Sequence, residues 1–366
     1  MLECAEKFSE ETLSYGLGIA PAIPRVTAWD IPESPYAYQW RTSSEQGVRV
    51  MRWPEAVKEN SFSEKIFALF ETQKEGVSSN HFFAMSAALF SDGVVVLVDE
   101  GISVDIVLET KMPASGADML FVFAGARSRV TVHETFSFAS GNTADMKGRT
   151  VFVIAEEESR VAYAEKLRRF SGGLFFINRK AFAKEKAHVS LVEASGYAAG
   201  FLKSETAVFL EGEKSKANLV AFAETDGTAG YDALARVFHR ADDTVSNIFS
   251  VGTASGLSKI IYRSLIQVPK DIHGGVGRQE GNFLMLSSGA EIDAIPSLEV
   301  ASDDTKTSHA VSVRRLSADR LFYPRTRGFP SRDAESLIVR GLMEDALLAA
   351  LSGERADSFS LESLFA

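Results

Sequence analysis

The chain has 366 residues, 45% of them hydrophobic and 24% charged, with 27 Gly, 10 Pro and a single cysteine, Cys4. That apolar content builds the core of one long domain or two ordinary ones and excludes a disordered or collagen-like chain. A balance of 39 Lys and Arg against 49 Asp and Glu gives a formal charge of −10 without any basic stripe, which excludes a nucleic-acid binder; one cysteine excludes an internal disulfide and a Cys-rich metal centre.

The N-terminus, MLECAEKFSEETLSYG, places acidic residues where a secretory leader carries positive charge ahead of an apolar run. No uncharged apolar stretch approaches the roughly 18 to 20 residues of a membrane-spanning helix; 94-VVVLV-98 and 119-MLFVF-123 have strand length. A soluble, cytoplasmic chain without membrane contact is expected. A polar helix near 5–15 precedes Pro21, Pro24, Pro32 and Pro35, whose fixed φ and missing N–H discourage regular structure. In 62-FSEKIFALFETQ-73, Phe62, Ile66, Phe67 and Phe70 share one helical face. Residues 1–85 therefore read as a helical and extended N-terminal cap.

From residue 86 the pattern changes to short apolar runs split by polar turns, among them 150-TVFVIA-155, 174-LFFI-177, 189-VSLV-192, 207-AVFL-210 and 219-LVAFA-223. One unit recurs: an apolar strand end, a few polar or turn residues, a small residue, then the next strand. It appears as 121-FVFAGARSRVTV-132, 152-FVIAEEESRVAY-163, 182-FAKEKAHVSL-191, 208-VFLEGEKSKANL-219 and 237-VFHRADDTVSNI-248, with small residues at Ser128, Ser159, Ala187, Ser215 and Thr244. Their spacings are 31, 28, 28 and 29, and the register continues through 265-LIQVPKDIHG-274 to Ala290. Strand-only units at a near-constant period mark a solenoid, in which each unit buries its apolar face only by stacking on its neighbours. Without crossover helices, and with strands too far apart for hairpins, the reading is mainly β: a right-handed parallel β-helix over 86–315. A solenoid has open ends, whose unpaired strands are capped or used for pairing.

Near residue 316 strand patterning stops. Ser317 is positioned to cap a short helix over LFYPRTR, ended by Gly328, and Pro330 and Ser331 open a long helix. Its stripe is Ala334, Leu337, Ile338, Gly341, Leu342, Ala346 and Leu347, and Ser352 and Gly353 end it. Residues 316–366 read as a C-terminal helical domain whose tail, 354–366, is acidic with scattered Leu and Phe.

The segments 286-LSSGAEIDAIPSLEV-300, 303-DDTKTSHA-310 and 321-LFYPRTRGFP-330, followed by a helix with Ala334, Leu337, Ile338 and Glu344, occur in an order and spacing that resemble the SufB/SufD family of iron–sulfur cluster assembly scaffolds. The likeness is strongest over 237–348 and faint over 86–236. It implies pairing through the C-terminal end of the β-helix with a SufB-like paralogue or a second copy, and C-terminal helices that dock a SufC-type ABC ATPase. It also implies a non-catalytic subunit with no intrinsic cofactor, the iron or iron–sulfur cluster passing through the paired interface. The SufB cysteine falls near Gly281 and the SufB glutamate at Ala310, so both groups are missing, whereas His309 matches the SufD histidine. The chain thus looks SufD-like. Departures at Thr307, Ala310 and Pro324, where Cys, Gly and Leu are common, leave a divergent homodimeric paralogue as the alternative.

His309 is the residue singled out for iron contact, because an imidazole binds Fe²⁺ or moves a proton near neutral pH. Leu321, Phe322 and Tyr323 are expected to pack the C-terminal segment onto the β-helix end, with Arg325 and Arg327, beside Arg320 and Arg332, lining the ATPase-docking surface. His81, His133, His188, His239 and His273 lie tens of residues apart and lack a local ligand spacing. The carboxylates Glu291, Asp293, Glu299, Asp303 and Asp304 are either solvated turns or, in a different functional class, the acid/base or Ca²⁺ groups of a β-helix polysaccharide lyase or hydrolase. The glycines of 274-GGVGRQEG-281 lack the G-K-[ST] of a phosphate loop and read as turns needing positive φ.

Overall fold

The computed structural model describes residues 36–59, 62, 90–113, 115–138, 145–167, 170–197 and 199–351. The helix expected near 5–15, the proline-rich stretch before residue 36, most of the 62–73 helix, the tail after 351, Cys4 and His81 lie outside them. In chain order the elements are β1 (Ala37–Thr42), β2 (Val48–Arg52), α1 (Trp53–Ala56), β3 (Phe90–Val98), β4 (Ser103–Met112), β5 (Gly116–Ala124), β6 (Arg129–Phe138), β7 (Met146–Ala155), β8 (Arg160–Leu167) and β9 (Ser171–Ala183). They continue as β10 (His188–Tyr197), β11 (Ala199–Leu210), β12 (Lys216–Thr225), β13 (Gly230–His239), β14 (Val245–Ala254), β15 (Lys259–Val268), β16 (Gly275–Met285), β17 (Glu291–Val300), β18 (Thr305–Arg315), α2 (Ala318–Thr326) and α3 (Ser331–Leu351).

The strands form two nine-stranded sheets, β1-β4-β6-β8-β10-β12-β14-β16-β18 and β17-β15-β13-β11-β9-β7-β5-β3-β2. From β3 onward odd strands feed one sheet and even strands the other, every pairing is parallel, and the result is the parallel β-solenoid the period predicts. β1 and β2, inside the segment read as a cap, add to β4 and β3 in antiparallel sense.

The recurring small residue is explained at the corners. Arg127, Glu158, Lys186, Lys214 and Asp243 each adopt a left-handed φ of 55° to 59°, and the next residue, Ser128, Ser159, Ala187, Ser215 or Thr244, is fully buried. A side chain other than glycine in that region costs on the order of 1 kcal/mol. Each such residue donates its N–H to a corner carbonyl of the next coil, as in Lys186 to Glu213 at 2.8 Å and Glu158 to Glu185 at 2.9 Å. The strain is therefore offset by a hydrogen bond that locks coil to coil.

Alternate strand residues point into the lumen, where Val96, Leu120, Val132, Val153, Leu191 and Leu219 belong to one buried cluster. The outer faces are apolar only where something covers them. Trp53 of α1 stacks on Phe121 at 5.3 Å on the odd-strand sheet, and α3 covers Val220, Phe222, Phe249 and Val251 on the even-strand sheet. Strands covered on both sides read as continuous apolar runs.

The C-terminal helices depart from expectation in their seating. α2 buries no residue; Phe322 and Tyr323 are 68% and 64% exposed, so they do not pack this segment onto the solenoid end. α3 lies against β12 and β14 instead, through Val339 and Met343, while Ala334 is buried and Leu337 of the expected stripe is 48% exposed. Ser317 does occupy the N-cap position of α2, accepting from Arg320 through its backbone carbonyl and making no side-chain cap bond. α2 ends in a Schellman motif, with Gly328 at φ 93°, Gly328 N–H on Arg325 O and Phe329 N–H on Pro324 O. Of the glycines over 274–281, Gly274 is a left-handed corner, φ 65°. Gly277 and Gly281 face the lumen for lack of space: a Cβ there meets Ile266 at 3.0 Å or the Phe283 ring at 2.9 Å.

Candidate functional site

Both sheets stop at the C-terminal end of the solenoid, at β17 and β18. The hydrogen bonds Glu291 N–H to Ser258 O and Ala301 N–H to Val268 O turn the odd residues of β17 inward to β15. Leu316 N–H to Met285 O does the same for the even residues around β18. By strand alternation the outward donors are then Ile292, Ala294, Leu298 and Val300 on β17, where Pro296 has none, and Thr305, Thr307, His309, Val311 and Val313 on β18. These same residues sit in register with the lumen-facing positions of β15 and β16, with no further coil above them. The end is thus two open strand edges around an apolar floor containing Leu298, Val311 and the 37% exposed Val300 and Val313.

His309 sits in the middle of this surface, exposed and without a hydrogen bond or ion pair among the described residues. Its ladder neighbour is Gln279, which is 2% exposed. Gln279 Oε1 accepts from Ser264 Oγ at 2.5 Å, and its Nε2 donates to Ser297 O at 2.7 Å, joining β15, β16 and β17 beneath the histidine. Gly281, two residues along, pairs with Val311 and is closed in by Phe283 and Val311, so it is a packed floor position. Ala310 is exposed on the outer face; its ladder neighbour is Glu280, held by Arg278 Nη2 at 2.5 Å. Thr307 is half-buried opposite Gly277.

The residues singled out on α2 form a separate surface. Phe322 and Tyr323 project into solvent beside exposed Arg325 and Arg327, with Leu321 half-buried. Arg327 lies 5.2 Å over the Tyr323 ring. Between α2, α3 and the ends of β16 and β18 lies a cavity of about 260 Å³ bordered by Asn282, Phe283, Arg314, Arg320, Ile338 and Gly341. Gly341 weakens its helix, since mid-helix glycine costs roughly 0.5–1 kcal/mol relative to alanine. A Cβ there would meet nothing within 4 Å in this chain.

The other chemistry-bearing residues are dispersed. His188 contacts Asn218 Nδ2 at 3.1 Å, and His273 lies 3.7 Å from Asp304. Glu291 and Asp293 share Lys259, and Glu299 accepts from Gln267, so these carboxylates are individually solvated and partnered rather than gathered in a cleft. Among the described residues no group of three His, Cys, Asp or Glu is placed to hold a metal.

What the sequence reading missed lies inside the lumen. Asp118, Glu134, Arg149, Glu165, Arg179 and Glu193 are buried there, four carboxyl groups against two guanidinium groups. Arg149 bridges Asp118 and Glu134, and Arg179 bridges Glu165 and Glu193. Tyr38 donates to Asp118 at 2.8 Å, Tyr163 lies between Glu134 and Glu165 at 2.7 and 3.0 Å, and Tyr231 donates to Glu193 at 3.0 Å. Burial pushes the Asp118 carboxyl up to about 6 and raises Glu165, although a guanidinium opposes the shift at both. A signal existed: Glu134, Glu165 and Glu193 each follow the small corner residue by six positions and stack in register on β6, β8 and β10.

His239 is also a lumen residue, fully buried, with Nδ1 2.7 Å from Thr244 Oγ1 and Nε2 2.8 Å from Ser246 Oγ. Thr244 donates to Ala241 O, so it accepts from Nδ1–H, and Nε2 accepts from Ser246. Desolvation holds this imidazole down at about 4. The unfolded chain, with an ordinary histidine near 6.5, then takes up a proton the folded state refuses, so stability falls as pH drops from about 6.5 to 4. Relative to wild type, His239→Gln is expected to recover on the order of 3 kcal/mol over that interval, measured by urea unfolding at each pH. Parallel pH curves for the two proteins would remove this role.

Set beside known proteins, residues 91–342 match the family model described as "SUF system FeS cluster assembly, SufBD core domain". The match includes the coils before residue 237, where the residue-level likeness was faint. The iron–sulfur cluster assembly SufBD family protein of Staphylococcus epidermidis strain ATCC 12228 is 24% identical over 307 residues, covering 82% of this chain and 65% of that protein. The counterpart from Staphylococcus haemolyticus strain JCSC1435 is 23% identical over 306 residues with the same coverage, and that from Staphylococcus aureus strain USA300 is 24% identical. The chain therefore spans about two thirds, 65%, of the length of these curated relatives. No helix among the described residues is long and apolar enough to cross a membrane.

Proposed function

The chain belongs to the SufBD family of iron–sulfur cluster assembly proteins, and from that premise we propose that it is a SufD-like, non-catalytic scaffold subunit that pairs through the C-terminal end of its solenoid. The observation that carries this reading is the open terminal coil, where two strand edges and an apolar floor surround His309. A partner of the same fold can continue both sheets there, whether a SufB-like paralogue or a second copy. Gly281 and Thr307 carry no thiol, so sulfur at that interface has to come from the other subunit, which favours the paralogue. The iron or cluster is cargo in this reading, and His309 supplies an imidazole to it. With partner proteins present, His309→Ala is expected to leave unfolding unchanged, because the side chain is exposed and unpartnered, and to impair cluster transfer to an apo-acceptor at least tenfold. Undiminished transfer removes the role.

The exposed Phe322, Tyr323, Arg325 and Arg327 on α2, beside the groove at Gly341, are proposed to dock a SufC-type ABC ATPase, which would hold the ATP-hydrolysing site. Large exposed apolar residues grouped with arginine mark protein interfaces. Reversing charge at Arg325 and Arg327 together is expected to weaken ATPase binding by about 10- to 100-fold in a calorimetric titration, equivalent to about 1.4–3 kcal/mol. Equal affinity would place docking elsewhere.

A further inference from the structure

Gly341 stands at the middle of the 21-residue helix α3, where glycine is the poorest helix former after proline. Nothing inside the chain asks for it. Its φ is not left-handed, and a Cβ built on it meets nothing within 4 Å. What a side chain at 341 would take up is space in the cavity of about 260 Å³ that this residue helps to line. The helix thus gives up stability at its centre to keep that cavity open.

The lining says what the cavity can hold. Leu284 of β16 and Ile338 and Leu342 of α3 are apolar, whereas Arg314 of β18 and Arg320 of α2 are cationic. Arg314 is oriented by Nε donating to Ser312 Oγ at 2.5 Å, and Arg320 has no side-chain hydrogen bond or ion pair among the described residues. Asp345 is the one carboxylate on the lining, and exposed Arg325 and Arg327 extend the positive charge along α2, although the whole chain carries a formal −10. An apolar cavity of about 150 Å³ already accepts a benzene-sized group, so this one has room for a large apolar side chain. Side chains seated in such pockets are the anchors that dominate interface affinity, and a basic rim selects an acidic surround on the partner.

We infer that an apolar side chain of the docked ATPase, carried on an acidic stretch of its surface, inserts into this cavity over Gly341. The inference rests on the reading of α2 as the ATPase-docking surface and adds the point at which that contact is anchored. Continuity favours this occupant: Arg320 borders the cavity two residues before the exposed Phe322 and Tyr323, so a partner covering those rings lies across its mouth.

Gly341→Leu in the full chain tests it. The leucine fills the cavity and replaces a poor helix former, so the variant should melt at or above the wild-type Tm. Its affinity for the SufC-type ATPase in a calorimetric titration should nevertheless fall about 10- to 100-fold. Arg314→Glu with Arg320→Glu should weaken binding about tenfold at low salt and less at high salt. Wild-type affinity of Gly341→Leu, while charge reversal at Arg325 and Arg327 does weaken binding, overturns the inference and leaves the docking reading standing. No binding by the wild-type chain overturns both. A change in self-association with ATPase affinity unaltered assigns the cavity to a second copy and overturns the inference as well. Should the leucine lower Tm, Gly341→Cys in a Cys4→Ser background replaces it: saturating ATPase should slow maleimide labelling about tenfold or more, and equal rates overturn the inference.

Discussion

Arg149→Met is expected to destabilise the protein by about 3–5 kcal/mol, a large share of the roughly 5–15 kcal/mol that holds an ordinary domain folded. The guanidinium is wholly buried, bridging Asp118 and Glu134 and lying 5.4 Å from the Phe136 ring centroid. Methionine fills similar volume, so the loss is electrostatic: two buried carboxyl groups remain with hydroxyl donors alone. Glu134 also stacks in register on Glu165, whose neighbour is Glu193, so three like charges lie along one lumen column with arginines and Tyr163 between them. Lysine is no substitute, because a point charge cannot fork to two carboxylates. Adding Asp118→Asn and Glu134→Gln to Arg149→Met should restore most of the loss, since the unpaired charges go with their partner. Urea unfolding of the single and triple variants measures both effects. A single variant within 1 kcal/mol of wild type would mean that the network contributes nothing net.

The period of the solenoid was legible because its corners impose a local rule: a left-handed residue followed by a residue small enough to be buried between coils. Ser128, Ser159, Ala187, Ser215 and Thr244 obey it, so five positions set the register of the parallel strands around them. The glutamates six positions later follow the same register, yet a charge alternating with apolar residues is normally assigned to solvent. In Val132-His133-Glu134-Thr135-Phe136 the carboxylate shares its face with Val132 and Phe136, and only the in-register repeat at Glu165 and Glu193 separates a lumen column from a wet strand face. The α2 segment failed for a related reason. Leu321, Phe322 and Tyr323 are apolar and adjacent, which favours burial, but burial needs a neighbouring surface, and the solenoid face over β12 and β14 is already covered by Val339 and Met343 of α3. His309 was singled out through its motif. Its setting on an open edge above Gln279 depends on pairing between distant strands.

Thr307→Pro combined with Val313→Pro is expected to weaken pairing at the terminal coil by about 30- to 1,000-fold while leaving the subunit folded. Both residues lie on β18 at positions whose N–H points away from β16, so proline removes no bond of the internal ladder. Pro296 shows the same arrangement on the neighbouring edge. If a partner strand continues the sheet, each missing donor forfeits a hydrogen bond worth about 1 kcal/mol net and leaves a partner carbonyl unsatisfied at a further cost, for about 2–4 kcal/mol in all. Sedimentation velocity of the chain alone and with the proposed SufB-like partner reads the dissociation constant, and unchanged association in both would exclude strand-edge pairing on β18. Ser312→Pro is the internal control. Its N–H belongs to the ladder with β16 by the same alternation, so this variant should lose about 3 kcal/mol of subunit stability through the missing bond and the ring clash, whatever the state of the interface. Destabilisation by Ser312→Pro, together with dissociation but normal folding in the double variant, places the β18 edge in the pairing surface.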